Sequence, residues 1–590
     1  MLARKQKLYL LINRLKKGKK QIMGQNELTG YPSIDKPWLK YYSTEAINAI
    51  LPQVTIYEYL VQNNKDYLDN IALCYFSKRI TYGELFENIV NVATAFSDFG
   101  IQQQDIVSVC LPNIPEAVYI FYGLNYIGAV CNFLDPRASE SVMKEHLNLA
   151  RAKLLVTIPD KYKLFKKLQK ESDIESIVVV DVLQSINTTF SFDIEPGDMQ
   201  WNTFMSVYQK ESCLCVNHNC MLPVCILHTG GTTGTPKGAV LTDYNFHSLV
   251  SQWKYLDLYY QRGSILLSLM PPFVSFGLAA NLHVPLSFGM QIILIPEYNP
   301  EKTVDLIKEF RPNCIPASPA HWEAVFNNPE IQTMDLSFLK FAFVGGDTLN
   351  IKIEQGLNQT FAQNSSGLKM RKGYGMTETT TCLTMTSFNV TNFEKSVGIP
   401  LPQTIVGIFD ENQQELPYNR VGEICVQTKN TMTGYYNNDK ETAETIRIHN
   451  DGTAWLHTGD MGEITPEGIL YIKGRIKRII IRYDGIKIYP VDVESKILEN
   501  PLVENCAVVA AKDPLHIQGD IPVAYIVLKN DEINTEIQES VKDYCKKHII
   551  DYAVPQMFYY MNKLPYTRNG KIDFIQLERH TENSLMEKTN

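Results

Sequence analysis

Long apolar runs, net positive charge and dense cysteine are all missing from this 590-residue chain. No apolar stretch reaches the ~18 residues that a membrane-spanning helix needs, so no transmembrane segment is expected. The formal net charge is −8 and the isoelectric point is about 5.9, which argues against a nucleic-acid-binding surface as the main function. Twelve scattered cysteines are too few for a disulfide scaffold. They indicate a reducing compartment, which we expect to be the cytoplasm.

The chain is otherwise composed like a large globular protein. Hydrophobic residues make up 45% of it and charged residues 20%, which leaves ample material for large cores. At about 150 residues per domain, the length predicts roughly four structural units. We find neither internal repeats nor a low-complexity tract.

The first twenty residues are strongly basic around a short apolar stripe. A signal peptide would need a longer apolar centre than "LYLLI". Helical spacing would place the apolar side chains on one face with cations around them, which suits contact with an acidic membrane surface or a partner. A solvated basic helix is the alternative. The apolar residues are Leu8, Leu11, Ile12 and Leu15, and the basic ones include Arg4, Lys5, Arg14 and Lys16.

Strand-like and helical segments alternate from Thr55 onward. "DIVSVCLPN" and "AKLLVTI" are typical of strands, "IPEAVYIFYGLNYIGAV" is typical of a helix between them, and "IESIVVVDV" suits a strand buried on both faces. Such alternation predicts a parallel sheet with helical crossovers, and hence an α/β protein.

The pattern of predicted strands and helices changes twice in the second half of the chain. After Gly398, short strands joined by turn residues predict a small β-barrel-like unit, and beyond Gly474 strands and helices mix in a compact α+β unit that runs to about Glu578. We therefore expect three parts: a basic N-terminal extension (1–30), a large multi-subdomain α/β domain that includes the β unit (31–476), and a small mobile α+β C-terminal domain (477–590).

The segment "LHTGGTTGTPKGAVLT" (227–242) has the composition of an anion-binding loop. Glycines allow backbone N–H groups to converge into an anion nest, threonine hydroxyls add donors, and Lys237 adds a positive charge. The pattern is not Walker A, because Pro236 precedes the lysine and Gly238 follows it. A surface hairpin is the bland alternative. The residues expected to bind phosphates are Thr229, Gly230, Gly231, Thr232, Thr233, Gly234 and Lys237.

"TGGTTGTPKG" resembles the phosphate-binding signature of the adenylate-forming superfamily, which includes acyl-CoA synthetases, luciferases and peptide-synthetase adenylation domains. The family usually has Ser or Thr where this chain has Gly230, a change that removes one hydroxyl and leaves the backbone nest intact. "GYGMTET" (373–379) resembles the family segment that follows. The resemblance implies that Tyr374 stacks on adenine beside Gly375, that Thr377 contacts phosphate, and that Glu378 reaches Mg²⁺, for which Thr232 is a second candidate ligand.

Further matches follow in the family's order. "VGGDTL" (344–349) resembles the turn under the adenine, made here by Gly345, Gly346 and Asp347. "LHTGD" (456–460) and "GRIKR" (474–478) resemble the elements whose acid and arginine bind ribose, here Asp460 and Arg475. With the segment 564–573 described next, the chain has six short matches in order over residues 229–573, and they imply an adenylation domain across most of the chain.

"LPYTRNGKID" (564–573) resembles the segment that carries the family's catalytic lysine, here Lys571. The resemblance implies that ATP and a carboxylic acid form an acyl-adenylate and pyrophosphate, with Thr377 and Glu378 assisting Lys571. A thiol then attacks, after the C-terminal domain has rotated about Lys477. "YDGIKIYP" would bring Gly485 to a channel for the pantetheine arm. The chain has one more residue between Gly474 and Gly485 than is common in the family.

"MPPFVSFGL" (270–278) bears on the choice of acid. Amino-acid-activating relatives have Asp after the first Phe, and many acyl-CoA synthetases have His, but this chain has Val274. A buried ammonium without a carboxylate is costly, so we expect an acyl or aryl acid rather than an α-amino acid. Phe273 and Phe276 are equally well explained as core. The candidate acyl-pocket residues are Phe273, Val274, Phe276, Ser318 and His321.

These features favour an acid–thiol ligase that uses ATP, Mg²⁺ and CoA. One alternative is an acyl-AMP ligase that loads the phosphopantetheine of an acyl-carrier protein, and others are a luciferase-like oxygenase and a non-catalytic nucleotide-binding module. "CLCVNHNCMLPVC" (213–225) contains possible metal ligands in Cys213, Cys215, His218 and Cys220. Its spacing matches no zinc knuckle, and Cys225 lies in the strand that leads to the phosphate loop.

Overall fold

The computed structural model describes ten stretches of the chain. They are residues 28–186, 192–208, 219–229, 237–297, 299–364, 368–387, 394–516, 518–529, 533–567 and 571–589. The basic segment 1–20, the phosphate-loop residues 230–236, and Cys213, Cys215 and His218 therefore lie outside the described residues. No helix in these stretches is long and apolar enough to cross a membrane.

The described strands, numbered in chain order, are β1 Ile71–Tyr75, β2 Lys78–Thr81, β3 Ile106–Cys110, β4 Val130–Phe133, β5 Leu154–Thr157, β6 Ser176–Val179, β7 Met199–Gln200, β8 Pro223–Thr229, β9 Lys237–Thr242, β10 Ile265–Ser268, β11 Gln291–Leu294, β12 Cys314–Ala317, β13 Phe341–Val344, β14 Arg371–Tyr374, β15 Thr384–Met385, β16 Ile399–Pro400, β17 Thr404–Phe409, β18 Gly422–Thr428, β19 Gly434–Tyr435, β20 Ile446–Ile448, β21 Ala454–Ile464, β22 Leu470–Arg475, β23 Ile480–Ile481, β24 Lys487–Ile488, β25 Val503–Lys512, β26 Asp520–Leu528 and β27 Met557–Tyr560.

The described α-helices are α1 Pro32–Asp35, α2 Thr44–Ile47, α3 Ile56–Asn64, α4 Tyr82–Phe99, α5 Pro115–Tyr126, α6 Glu140–Ala150, α7 Pro159–Gln169, α8 Trp201–Val207, α9 Asp243–Lys254, α10 Val284–Ser287, α11 Thr303–Phe310, α12 Pro319–Asn327, α13 Ile351–Asn364, α14 Asp439–Thr445, α15 Pro490–Leu498, α16 Thr535–His548 and α17 Phe574–Thr589. A π-helix spans Phe276–His283. Short 3-10 helices include Thr377–Thr379 and Ile476–Arg478.

Two large sheets form the first part of the molecule. One has the order β19-β9-β8-β4-β3-β5-β6-β7 and the other β16-β15-β14-β13-β12-β10-β11-β1-β2. Pairing is parallel from β8 to β7 and from β14 to β1, and antiparallel at the remaining edges. One continuous core contains apolar side chains from both sheets together with those of α4 and α5, and two separate clusters contain apolar side chains from the opposite faces of the sheets. The predicted α/β class is confirmed.

A third sheet is antiparallel throughout, in the order β17-β18-β21-β20 with β22 paired to β21. It is the small β unit expected after Gly398. Trp38, which is fully buried, packs into this unit and donates its indole N–H to the Thr404 carbonyl at 3.2 Å. The entry segment is therefore fastened to the end of the large domain.

The C-terminal unit contains the β23–β24 hairpin and the three-stranded sheet β25-β26-β27. Its core is built from β25, β26, α15 and α16. The final helix, α17, continues to Thr589, beyond the end expected near Glu578. The small α+β unit is thus present, while the boundary at 476/477 stays a prediction.

One helix is shorter than its sequence suggested. α5 ends at Tyr126, and Gly128 has φ +73°. That left-handed conformation turns the chain into β4, whose four residues are all buried. The apolar run therefore supplies both a helix and the strand that pairs with β8 in register Cys131↔Cys225.

Candidate functional site

The predicted phosphate loop connects two antiparallel neighbours. Thr229 ends β8, Lys237 begins β9, and the two residues face each other in the ladder. The Lys237 ammonium forms an ion pair with Glu441 and lies 5.2 Å from the centroid of the Tyr435 ring. Gly230, Gly231, Thr232, Thr233 and Gly234 lie outside the described residues, so the structure does not test their role.

The segment 373–379 turns sharply behind the end of β14. Gly375 has no room for a side chain, because a Cβ there would lie 1.6 Å from the Thr381 carbonyl oxygen. The turn leads into the 3-10 helix Thr377–Thr379, where Glu378 is buried and accepts a 2.6 Å hydrogen bond from the Tyr435 hydroxyl. The Thr377 and Ser275 hydroxyl oxygens are 3.4 Å apart.

Asp460 is the centre of the predicted ribose site. It lies opposite Arg475 in the β21–β22 ladder and is 4% exposed. One carboxylate oxygen pairs with the Arg475 guanidinium at 2.9 Å, and the other accepts a 2.6 Å bond from the Tyr374 hydroxyl. Burial raises the pKa of Asp460, and the Arg475 charge opposes that rise. The structure therefore brings together three residues that are distant in the sequence, since Asp460 lies 15 positions and Tyr374 lies 101 positions before Arg475.

Lys571 belongs to the C-terminal unit and is exposed. It lies on a short hairpin in which the Thr567 N–H donates to the Lys571 carbonyl at 2.6 Å and Asp573 N–H donates to Pro565. The Lys571 charge acts to lower the pKa of Asp460. The Tyr566 hydroxyl accepts a 3.3 Å hydrogen bond from Asn505 in the C-terminal unit, and burial together with the Glu323 charge raises the pKa of Tyr566.

The turn after β13 approaches the same cluster. Gly346 has φ +91°, a conformation that favours glycine. Asp347 is exposed, accepts a 2.8 Å bond from the Thr348 N–H, and acts with Asp460 to raise the pKa of Arg475. Gly345 lies against the ring of Phe276, which links this turn to the predicted acyl pocket.

The acyl-pocket candidates are buried or partly buried on neighbouring elements. Phe276 opens the π-helix and contacts Phe343 edge to face at 5.8 Å. The Ser318 hydroxyl lies 2.9 Å from His321 Nδ1, and burial lowers the pKa of His321 to about 4. Phe273 lies 5.1 Å from the guanidinium carbon of Arg137, and Val274 packs against the main core.

Two predicted residues lie apart from the cluster. Lys477 is exposed in the 3-10 helix between β22 and β23. Gly485 is in the β23–β24 hairpin with φ +81°, and no atom lies within 4 Å of where its Cβ would be. The structure therefore does not bring Gly485 against Asp460 or Lys571, and both assignments stay predictions.

The sequence reasoning missed Tyr435, Glu441 and Arg137. Tyr435 contacts Glu378 because β19, which contains Tyr435, pairs with β9. Glu441 lies in the first turn of α14. Neither has a spacing that marks it as part of the site. Cys220 and Cys225, the described members of the cysteine cluster, are both free and buried.

Family models match most of the chain. Residues 60–436 match the AMP-binding enzyme model, and residues 492–571 match the AMP-binding enzyme C-terminal domain. The long-chain-fatty-acid–CoA ligase of Bacillus subtilis is 28% identical over 571 residues, which cover 93% of this chain and 99% of that protein. The 4-coumarate–CoA ligase CCL1 of Humulus lupulus is 28% identical over 506 residues, covering 84% and 87%.

Solved structures share the fold. The anthranilate CoA ligase AuaEII in complex with anthranoyl-AMP has a TM-score of 0.80 at 20% identity, covering 91% of this chain and 99% of that one. ATP-bound MatB from Rhodopseudomonas palustris has a TM-score of 0.78 at 21% identity, covering 89% and 98%. The chain belongs to the AMP-binding enzyme family, within the adenylate-forming superfamily that its motifs resemble, and is an AMP-forming acid–thiol ligase.

Proposed function

We propose that this protein activates a carboxylic acid with ATP to an acyl-adenylate and transfers the acyl group to the thiol of CoA. One observation carries the proposal: Asp460, Arg475 and Tyr374 form a buried, hydrogen-bonded cluster suited to a ribose, and the Lys571 charge acts to lower the pKa of Asp460. We infer that this lysine and this ribose-type carboxylate serve one nucleotide triphosphate, which reacts with the acid.

The first half-reaction brings two anions together. A carboxylate oxygen attacks the α-phosphorus of ATP, the bond from that phosphorus to the bridging oxygen breaks, and pyrophosphate leaves. Lys571 addresses the carboxylate and the α-phosphate with one ammonium group. Lys237 and the loop 230–236 hold the β- and γ-phosphates, and Glu441 releases Lys237 for that purpose.

Asp460 and Arg475 hold the ribose, and Tyr374 stacks on adenine with Gly345, Gly346, Asp347 and Gly375 around it. Two features support this arrangement: the Asp460 carboxylate is held on both oxygens, and Gly375 allows the backbone to pass close to its neighbour. Both fix the site before nucleotide arrives, which reduces the ordering cost of binding.

Glu378 and Thr377 offer the hard oxygen donors that Mg²⁺ prefers, and Thr232 lies in the phosphate loop. Tyr435 holds one Glu378 oxygen at 2.6 Å, so the carboxylate is oriented. These few protein donors suit an ion whose other ligands are mainly triphosphate oxygens. When bound, Mg²⁺ would neutralise charge on the departing pyrophosphate.

CoA is the proposed acceptor in the second half-reaction. Its thiolate attacks the acyl carbonyl, and AMP leaves. We propose that the C-terminal domain (477–590) first turns about Lys477, which withdraws Lys571 and brings Gly485 to line the pantetheine channel. The open space around Gly485 supports a position that must stay free of a side chain. The phosphopantetheine of an acyl-carrier protein is the competing acceptor.

The proposed acid has an apolar acyl or aryl body. The lining candidates Phe273, Val274 and Phe276 are apolar, and burial keeps His321 neutral at physiological pH. Named relatives act on long-chain fatty acids and on 4-coumarate, which are acids of this type. Ten described cysteines, all free, support a reducing compartment, and we propose the cytoplasm.

Pyrophosphate release with a panel of fatty, aryl and α-amino acids tests the proposal. We expect release with at least one fatty or aryl acid, and an acyl-CoA product when CoA is added. A product only with holo-carrier protein would instead support carrier loading, and light or oxygen uptake with the adenylate would support an oxygenase. A folded protein that never releases pyrophosphate would indicate a non-catalytic nucleotide-binding module.

A further inference from the structure

A cluster of metal-ligating side chains lies in the β unit, on the strand that carries Asp460 and on its neighbour β18. Glu423 and Cys425 are on β18, and His457 is on β21, directly opposite Cys425 in the ladder. Their ligand atoms all lie within 4.8 Å of one another. Cys425 is fully buried, and the side chains of His457 and Glu423 are 4% and 15% exposed.

The distances are close to those that a single ion requires. Cys425 Sγ lies 3.4 Å from His457 Nδ1, and a tetrahedral ion with Zn–S of about 2.3 Å and Zn–N of about 2.0 Å separates those atoms by about 3.5 Å. Glu423 Oε2 lies 2.7 Å from the same nitrogen. For both atoms to bind one ion, the distance between them would have to increase by roughly 0.6 Å, which rotation of the glutamate side chain provides.

The second nitrogen of the His457 ring also has a hydrogen-bond partner. His457 Nε2 lies 2.9 Å from Nε2 of His449, which is itself buried between Phe409 and Trp455. Without an ion, His457 donates from Nδ1 to Glu423 and accepts from His449. With an ion on Nδ1, His457 carries its proton on Nε2 and donates it to His449 Nε2, which accepts it in the tautomer that carries the His449 proton on Nδ1, so His449 takes the outer-shell role that a carboxylate, a carbonyl or water usually has.

We propose that Glu423, Cys425 and His457 form a binding site for a divalent ion of the zinc type, with His449 as its outer partner. Thiolate, imidazole and carboxylate together select a borderline ion such as Zn²⁺ rather than Mg²⁺ or Ca²⁺. The site is separate from the Mg²⁺ position proposed at Glu378. It uses none of the residues that we place at the nucleotide or the acid.

Occupancy would reach the ribose site through one hydrogen bond. The second Glu423 oxygen accepts from the Gly459 N–H at 3.1 Å, and Gly459 precedes Asp460. An ion on the first oxygen leaves this bond in place and links side chains of β18 and β21. The site therefore stiffens the strand from which the Asp460 carboxylate projects.

Cobalt binding to the full-length, chelator-treated protein tests the site without any substrate. Co²⁺ alone is the probe, because its bond to thiolate produces a charge-transfer band in the near ultraviolet. We expect a saturable band that Cys425→Ser abolishes and that Zn²⁺ displaces. Cys506→Ser is the matched control, since Cys506 is another free, buried cysteine in a strand, and it should retain the band.

No band in the wild-type protein, or a band that is unchanged in Cys425→Ser, would overturn the proposal and leave a hydrogen-bonded Glu423–His457–His449 chain. His449→Phe provides a second measurement in a variant that keeps all three ligands. We expect its Zn²⁺ affinity to fall about 10- to 100-fold. An unchanged affinity would overturn the assignment of His457 Nδ1 as the ligating atom.

Discussion

Lys352 is expected to hold the two domains in the adenylate-forming arrangement. Its ammonium, in the first turn of α13, donates to the carbonyl oxygens of Asn500 and Val503 in the C-terminal unit, each at 2.9 Å. Neighbouring Asn350 donates to the Glu504 carbonyl at 3.2 Å. We expect these bonds to break when the C-terminal domain turns. Lys352→Met keeps the helix and the apolar stem and removes both charged hydrogen bonds.

The magnitude follows from the two bonds. A hydrogen bond from a charged donor contributes about 1.5–3 kcal/mol when buried, but Lys352 is only partly buried, so we discount the pair to about 2 kcal/mol. A change of that size shifts the equilibrium between domain arrangements by up to roughly 30-fold. The adenylation rate should fall by a comparable factor where the arrangements are near balance.

The assay separates the half-reactions. Pyrophosphate exchange should fall in Lys352→Met, while thiolation of a supplied acyl-adenylate should be unchanged or faster. Lys340→Met is the control, because Lys340 donates to Ser337 within the large domain. An equal fall in both half-reactions, or the same effect in the control, would refute the reasoning.

Three further variants test separate parts of the site and core. Burial raises the pKa of Glu116 to about 7, above its ordinary 4.5, and Ser185 donates a hydrogen bond to one of its oxygens. Between these two pKa values the folded protein keeps a proton that the unfolded chain loses. The free energy of unfolding therefore falls as pH rises from 4.5 through 7. Glu116→Gln should remove this fall, worth about 3 kcal/mol, so its melting temperature relative to wild type should increase between pH 5 and pH 8; a pH-independent difference would contradict the assignment. Gly375→Ala should abolish ATP binding measured by calorimetry, because the methyl group meets the Thr381 carbonyl, and normal affinity would exclude a close backbone approach there. Gly485→Leu should preserve pyrophosphate exchange and slow CoA transfer, and a fall in exchange alone would contradict the channel role.

Local sequence pattern predicted much of the fold. β3, β5 and β6 all lie in runs whose apolar character and length indicated strands. Such runs are informative because a strand buried on both faces excludes polar residues. The end of α5 was not predictable in the same way, since β4 continues the apolar run and the three residues between them, 127–129, are apolar apart from Gly128.

The site was partly predictable for a different reason. Asp460 and Lys571 lie in short, chemically distinctive segments, whereas Tyr435 and Glu441 have ordinary neighbours and act only through contacts across the fold. Lys352 likewise shows its role only against two carbonyl groups about 150 residues later. Pairings of this kind depend on tertiary packing, which one sequence does not display.

The central claim is that Lys571 acts in adenylate formation and is then withdrawn. Single-turnover measurement of both half-reactions in Lys571→Ala tests it most directly. The account predicts that acyl-adenylate formation falls by at least about 100-fold while CoA transfer from a supplied acyl-adenylate stays near the wild-type rate. Equal losses in the two half-reactions, or intact adenylate formation, would contradict it.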